Sequence, residues 1–125
     1  MKFHDKKPIY LQLADYFFEK ILQRQLKPGD KIMSVRELAL EAEVTPNTAM
    51  RSYSYLQSLG IIYNKRGIGY FVSEEAFDKT MEIKKTEFIE QDLPLFFNTI
   101  INLNISCKEL EKLYNEYKQS KTSVQ

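Results

Sequence analysis

Apolar residues recur at helical spacing near the start of the chain. The stripe has one member in every turn: Ile9, Leu13, Phe17 and Ile21. This spacing is typical of an amphipathic helix with one buried face. Pro8 comes just before the stripe, and proline suits the first turn of a helix because its missing N–H would have no partner there. We predict a first helix over residues 8–24 and a tight turn at residues 28–30, which read Pro-Gly-Asp.

A capping pattern opens a second helix. The Ser34 hydroxyl can accept the backbone N–H of Glu37, and the Glu37 carboxylate can reach back to the backbone N–H of Ser34. A short helix is therefore predicted from Ser34 to about Glu41. Its buried face is expected to hold small and branched apolar residues: Val35, Leu38, Ala39 and Ala42.

A third helix start comes only a few residues later. Thr45 is a good N-cap residue, and Pro46 suits the first position after the cap. The helix is expected to continue to about Ser58, and Gly60 should end it. Its inward residues are predicted to be Ala49, Tyr53 and Leu56. Two short capped helices joined by a tight turn form the helix-turn-helix pattern.

The pattern changes after Gly60 from helical to extended. Residues 61–63 and 70–72 are β-branched and aromatic runs of the kind that form strands. Residues 64–69 between them are polar and basic and include two glycines. We predict a β-hairpin here, and a hairpin in this position after a helix-turn-helix is a wing.

The chain after Glu74 is predicted to be a helical tail. Its first stripe contains two aromatic side chains, a methionine and the stem of a lysine: Phe77, Met81, Lys84 and Phe88. Pro94 interrupts this run, and two alternatives remain open. Either Asp92 caps a new helix or one long helix kinks at the proline. Residues 93–103 are strongly apolar.

A second capping box, Ser106 to Glu109, predicts a last helix. Its inward residues are expected to be Leu110, Leu113, Tyr114 and Tyr117. Residues 118–125 are expected to be frayed. The fold class predicted is α+β, mainly α. Residues 1–73 form a winged helix-turn-helix of three helices and a hairpin, and residues 74–125 form a short helical tail.

Composition and charge narrow the function. The chain has 125 residues and 43% hydrophobic residues, enough for one compact domain and an appendage. Up to Ser73 it has 11 lysines and arginines against 7 acidic residues, a net charge of +4, whereas from Glu74 it has 7 against 10, a net charge of −3. The first part can approach a polyanion, and the second part would be repelled by one.

Several function classes lack the residues they need. Cys107 and His4 are the only cysteine and histidine, so we expect no intramolecular disulfide, metal site, cofactor or catalytic constellation, and no enzyme. Cys107 in a first helical turn could have an activated thiol, which leaves a redox role as a further alternative. No apolar run reaches the roughly 18 residues of a membrane span, and the N-terminus is polar, so a cytoplasmic location is expected.

The chain resembles the GntR family of bacterial transcription regulators over roughly residues 8–73. Five segments carry the resemblance in order: residues 8–12, 26–30, 34–39, 44–48 with Arg51, and 66–72. The short tail is similar to that of the YtrA-type branch, in which two helices dimerise the protein and no large effector domain follows. The resemblance implies a sequence-specific regulator, expected to be a repressor that binds a palindromic operator in double-stranded DNA as a homodimer.

The resemblance also assigns the DNA contacts: Arg36, Thr45, Pro46, Asn47, Thr48, Arg51, Lys65, Arg66 and Gly67. The side-chain chemistry agrees, because Asn47 can pair with adenine and Arg36 suits phosphate or guanine. The chain departs from the family pattern at Met33, where proline is usual, and at Ile68, where the wing usually carries a cation.

The aromatic residues of the tail have two interpretations. They could be ordinary core, or they could form a dimer interface, because a short helical tail cannot bury so many large side chains alone. The predicted interface residues are Phe88, Phe96 and Ile100. The missing wing cation and the modest charge leave an alternative function, an architectural or adaptor module that binds DNA non-specifically or binds protein.

Overall fold

The computed structural model describes residues 2–4 and 6–123. Its elements follow the predicted order of three helices, a hairpin and a helical tail: α1 (Ile9–Leu22), α2 (Val35–Ala42), α3 (Pro46–Ser58), β1 (Ile62–Lys65), β2 (Gly69–Val72), α4 (Ala76–Glu87), a π-helical turn (Phe88–Asp92), α5 (Leu93–Asn102) and α6 (Cys107–Ser123). The chain divides into two compact units, Met1–Lys84 and Lys85–Gln125.

Helix α1 supplies the centre of the first unit's core. The predicted stripe is buried at Leu13, Phe17 and Ile21, but Ile9 is 43% exposed, so the prediction was wrong at the first position. The helix is also shorter than predicted. Pro8 is its N-cap, and Arg24 beyond its end has a left-handed backbone with φ 63°. The helical hydrogen bonds therefore cannot continue to residue 24.

Helices α2 and α3 pack against this core with the predicted faces. Leu38, Ala39 and Ala42 of α2 are buried, and Val35 packs against them half-buried. Ala49, Tyr53 and Leu56 of α3 are fully buried. The positive φ of Gly60, 76°, lets the chain turn out of α3 and into β1. The helix-turn-helix predicted from the two capping patterns is confirmed.

The hairpin is the predicted wing with longer strands. β1 and β2 are antiparallel, with Ile62 opposite Val72 and Lys65 opposite Gly69. Residues 64 and 65, which were predicted to be loop, therefore extend β1 and leave a loop of residues 66–68. On its other edge β2 pairs with the segment before α2, where the Ile32 N–H donates to the Tyr70 carbonyl at 3.0 Å. The wing is thus attached to the helix-turn-helix by backbone hydrogen bonds.

The first unit extends beyond the predicted boundary at Ser73. Ala76 and Thr80 of α4 are fully buried, and Lys84 Nζ forms a salt bridge with Asp15 Oδ1 of α1 at 2.9 Å. The stripe predicted for α4 was wrong at Met81, which is 43% exposed. Burial follows a face that contains Ala76 and Thr80, with Phe77 and Ile83 packed half-buried beside it.

The second unit resolves the question raised by Pro94. The Asp92 side chain does not cap a helix, and its backbone is right-handed helical, with φ −93° and ψ −40°. The backbone passes through a π-helical turn, Phe88–Asp92, before α5 begins at Leu93. A π-turn places its hydrogen bonds one residue further apart than an α-turn. This local widening accommodates a residue that lacks an N–H.

Helix α6 begins at the predicted cap, where the Ser106 hydroxyl accepts the N–H of Glu109 at 3.1 Å. Leu110 is half-buried, but the other residues predicted to face inward are 49–64% exposed in the single chain: Leu113, Tyr114 and Tyr117. The helix extends to Ser123, so the predicted fraying was wrong for residues 118–123. Residues 124–125 lie outside the described residues.

Candidate nucleic-acid interface

A tight turn joins α2 to α3. Glu43 ends α2 with a left-handed backbone, φ 56° and ψ 45°. The next N–H, of Val44, returns to the Ala39 carbonyl at 3.0 Å. This is a helix C-cap made by a residue other than glycine. The chain reverses within these residues, so that the N-terminus of α3 follows at once.

Thr45 is committed to capping α3. Its Oγ1 accepts the backbone N–H of Thr48 at 3.2 Å, and its hydroxyl donates to the Thr48 Oγ1 at 3.0 Å. One hydroxyl has a single hydrogen to donate. The side chain of Thr45 is therefore engaged within the first turn of α3, with Thr48 as its partner.

The first turn of α3 is open to solvent. Pro46 and Asn47 are exposed, and Thr48 is half-buried. Arg36, near the start of α2, is exposed as well. The N-terminal end of a helix carries unpaired backbone N–H groups and partial positive charge, which favour an anion such as phosphate.

The capping box at the start of α2 holds the carboxylate of Glu37, the residue next to Arg36. The Glu37 carboxylate accepts the Ser34 N–H at 2.9 Å, and the Glu37 N–H donates to the Ser34 Oγ at 3.1 Å. The pKa of Glu37 is lowered, first by the backbone hydrogen bond from Ser34 and then by the bond to its side chain. The Glu37 side chain is thus held at the N-terminus of α2 by its hydrogen bond from Ser34.

Tyr53 ties α3 to the segment that leads into α2. Its hydroxyl donates to the Met33 carbonyl at 2.6 Å, and the ring packs between Phe17 and Tyr70, whose centroids lie 5.5 and 4.8 Å away. Burial raises the pKa of the Tyr53 phenol, so it stays protonated as a donor. One side chain therefore connects α1, α3, β2 and the start of α2.

Arg51 lies one turn further along α3 and is exposed. Its Cζ is 4.1 Å from the centroid of the Tyr10 ring in the first turn of α1. This is a cation–π contact. Tyr10 was part of the sequence resemblance but was not predicted as a site residue, because no spacing in the sequence indicates that α1 and α3 meet there.

The wing presents an exposed tip with mixed chemistry. Lys65, Arg66 and Gly67 are all exposed. The Lys65 ammonium lies 4.9 Å from the Phe71 ring centroid, and Gly67 has φ 78°, which the turn requires. Ile68 is 60% exposed, so the position that departs from the family pattern presents an apolar side chain at the tip.

The predicted residues thus fall on two connected features. Arg36, Arg51 and residues 45–48 belong to α2, α3 and their turn, while residues 65–67 belong to the wing. The hydroxyl of Tyr70, on β2, lies 3.9 Å from the sulfur of Met50, on α3. That contact joins the wing to α3.

In residues 2–4 and 6–123 no cluster of His, Cys, Asp and Glu side chains could hold a metal ion. No helix in the same residues is long and apolar enough to cross a membrane. Cys107 is a free, exposed thiol at the start of α6.

Comparisons with known proteins agree with this geometry. The family described as "Bacterial regulatory proteins, gntR family" matches residues 9–72, just over half of the chain. The HTH-type transcriptional repressor YtrA of Bacillus subtilis is 39% identical over 117 residues, 94% of this chain and 87% of YtrA. A crystal structure described as a GntR-family transcriptional regulator from Bacteroides thetaiotaomicron has a TM-score of 0.76 and 44% identity, over 90% of this chain and 98% of that one.

A further structure includes DNA. The DNA-binding domain of AraR, solved in complex with operator ORR3, has a TM-score of 0.53 and 27% identity, over 58% of this chain and 88% of that one. The shared part has the length of the winged-helix unit. This chain belongs to the GntR family of bacterial regulatory proteins, is of the YtrA type, and is a DNA-binding transcription regulator with a winged helix-turn-helix.

Proposed function

We propose that this protein is a transcriptional repressor that binds a palindromic operator as a homodimer. The observation that carries the proposal is the first turn of α3, which presents the exposed side chain of Asn47 and the half-buried side chain of Thr48. The YtrA relative is a repressor by name, which supports repression rather than activation. Because the ligand is chromosomal DNA, the proposal places the protein in the cytoplasm.

The proposed contacts divide into readers and anchors. Asn47 pairs with an adenine edge in the major groove, and Thr48 contacts the neighbouring base through its hydroxyl or methyl. Thr45 and Pro46 set the start of the helix and lie close to the backbone.

The basic side chains act as anchors on phosphate groups. They are exposed and lie on α2, α3 and the wing: Arg36, Arg51, Lys65 and Arg66. Gly67 lets the wing approach the backbone closely. These contacts would position the protein on the duplex without reading its sequence.

The second unit supplies the proposed dimer interface. Phe88 is 51% and Phe96 is 44% exposed, and Ile100 is half-buried. Further large apolar side chains of this unit are also exposed in the single chain: Ile89, Leu95, Phe97, Ile101, Leu103, Leu113, Tyr114 and Tyr117. Monomeric proteins rarely expose so many together. A two-fold dimer that buries this surface would present two recognition helices to a palindrome.

To test whether the protein recognises a particular DNA sequence, bound duplexes are selected from random DNA and their affinities are measured at fixed salt. We expect the selected palindrome to bind about 10³-fold or more tighter than random DNA. Asn47→Ala should lose about 1–3 kcal/mol on the palindrome and relax the preference at one base position. Lys65→Ala should weaken both DNAs evenly and reduce the salt slope. Equal affinity for both DNAs would favour the architectural alternative.

The dimer is tested by size-exclusion chromatography with light scattering. The wild type should have the mass of a dimer at micromolar concentration. Phe96→Glu should shift it to a monomer, because a charge would be buried without a partner. Asn98→Glu, an exposed position two residues along α5, serves as the control and should leave the dimer intact. A monomeric wild type would refute the proposed interface.

A further inference from the structure

The Tyr10 ring contacts two side chains of α3, those of Arg51 and Tyr55. The Arg51 guanidinium covers its ring face, with Cζ 4.1 Å from the centroid. Tyr55 meets the same ring at an interplanar angle of 87°, with centroids 6.1 Å apart. Residues four apart on a helix share a face. The first turn of α1 therefore contacts α3 directly at Arg51.

Stacking leaves the donors of Arg51 available. A guanidinium uses its flat face against an aromatic ring, whereas its five N–H donors lie in the plane and point from its edge. A phosphate group binds to that edge. The ring of Tyr10 and a phosphate can thus hold the same guanidinium at the same time.

The surroundings leave the charge of Arg51 for an external anion. Within residues 2–4 and 6–123, Arg51 takes part in no salt bridge, and its guanidinium contacts the Tyr10 ring. A long arginine side chain loses rotamer freedom when it binds a phosphate. A ring that already holds it in place reduces that loss.

We propose that Tyr10 is a positioning residue for DNA binding. Its ring holds the Arg51 guanidinium in the orientation that takes a backbone phosphate of the operator. The inference rests on the proposed function and adds to the DNA site a residue of α1, outside the helix-turn-helix. Tyr55 packs nearly perpendicular to the same ring.

The test compares variants on the selected palindrome and on random DNA. Tyr10→Leu removes the ring, whereas Tyr10→Phe keeps it. The ring saves part of the cost of ordering one long side chain on binding, which corresponds to about 2- to 5-fold in affinity per recognition helix, or about 5- to 30-fold for a dimer. Tyr10→Leu should lose this much, while Tyr10→Phe should bind within about two-fold of the wild type.

A matched control comes from the same helix. The ring of Tyr16, also on α1, lies 5.3 Å from the Lys20 ammonium, so Tyr16→Leu removes a similar contact away from α3. It should leave DNA affinity unchanged. In an Arg51→Met background, Tyr10→Leu should cause no additional loss, because the residue it positions is gone.

Two measurements cover the case in which Tyr10→Leu fails to fold. Arg51→Lys keeps the charge and the native Tyr10 but loses the planar group, and it should weaken binding. In the free protein, Arg51 side-chain protons should show an aromatic ring-current shift by NMR that is present in Tyr10→Phe. Wild-type affinity for Arg51→Lys, or no ring-current shift, would overturn the inference.

The outcomes separate this inference from the proposed function. An equal loss from Tyr10→Leu with and without Arg51, together with a retained palindrome preference, refutes the positioning role alone. Coupling between Tyr10 and Arg51 on all DNA, without any preference for the palindrome, refutes sequence-specific repression and supports the positioning role. A wild type that binds no DNA refutes both.

Discussion

Tyr53→Phe should destabilise the protein, although it removes a single oxygen atom. The ring of Tyr53 is 0% exposed and would keep its packing against Phe17 and Tyr70. The substitution deletes the 2.6 Å hydrogen bond to the Met33 carbonyl. A typical hydrogen bond contributes about 1 kcal/mol net, and a buried acceptor left unpaired costs about 1–3 kcal/mol. Since Met33 is half-buried, we expect a loss of about 1–2 kcal/mol in the free energy of unfolding.

Urea denaturation at neutral pH measures this loss. With a slope of about 2 kcal/mol per molar urea, the midpoint should fall by about 0.5–1 M. Tyr63→Phe is the control, because that tyrosine is 37% exposed on β1 and should change stability little. A Tyr53→Phe protein that unfolds within about 0.3 kcal/mol of the wild type would refute the reasoning. It would mean that water replaces the phenol at the Met33 carbonyl.

Three further predictions concern backbone, charge and burial. Glu43→Gly should leave stability unchanged or raise it by up to about 1 kcal/mol, because the backbone at this position is left-handed, with φ 56°. Glu41→Gly, inside α2, should cost about 1 kcal/mol. Urea unfolding that ranks the two variants in the opposite order would contradict this prediction. The pKa of Glu37 is lowered from its ordinary 4.5. Its contribution to the free energy of unfolding is therefore present above pH 4.5 and is lost as the pH falls further. Glu37→Gln should flatten the acid limb of stability against pH, and identical acid limbs would count against the capping role. Thr80→Val should stabilise by up to about 1–2 kcal/mol, because the buried Thr80 hydroxyl has no hydrogen-bond partner among the residues that the structure describes. Thr86→Val, at an exposed position of the same helix, should not stabilise the protein. Melting temperatures measured by calorimetry compare the two variants.

The accuracy of the predictions depended on the range of the interaction. The caps at Ser34 and Thr45 were correct because a cap is decided by residues within one turn. The wing was correct in kind but its strands were longer, since pairing with β2 carried Asn64 and Lys65 into the ladder. Local rules describe where a strand can start, and the partner strand decides how far it extends.

The candidate site shows the same division. Asn47 and Thr48 were predicted as base contacts, and that role stays a prediction; the structure places both in the first turn of α3, with Asn47 exposed and Thr48 half-buried. The commitment of the Thr45 hydroxyl to Thr48 was not predicted, because it depends on a side-chain rotamer. The stack of Arg51 on Tyr10 joins residues far apart in sequence, and no periodicity reports such a pair.

The sequence by itself determined the succession of elements, because capping residues, glycines and the period of apolar positions act over a few residues. It also determined the family, since the matching segments keep their order and spacing. Only the tertiary structure decided which face of α4 is buried, where the first unit ends, and which side chains of α1 reach the recognition helix. Those outcomes depend on packing between distant segments, whose free energy no short stretch of the chain contains.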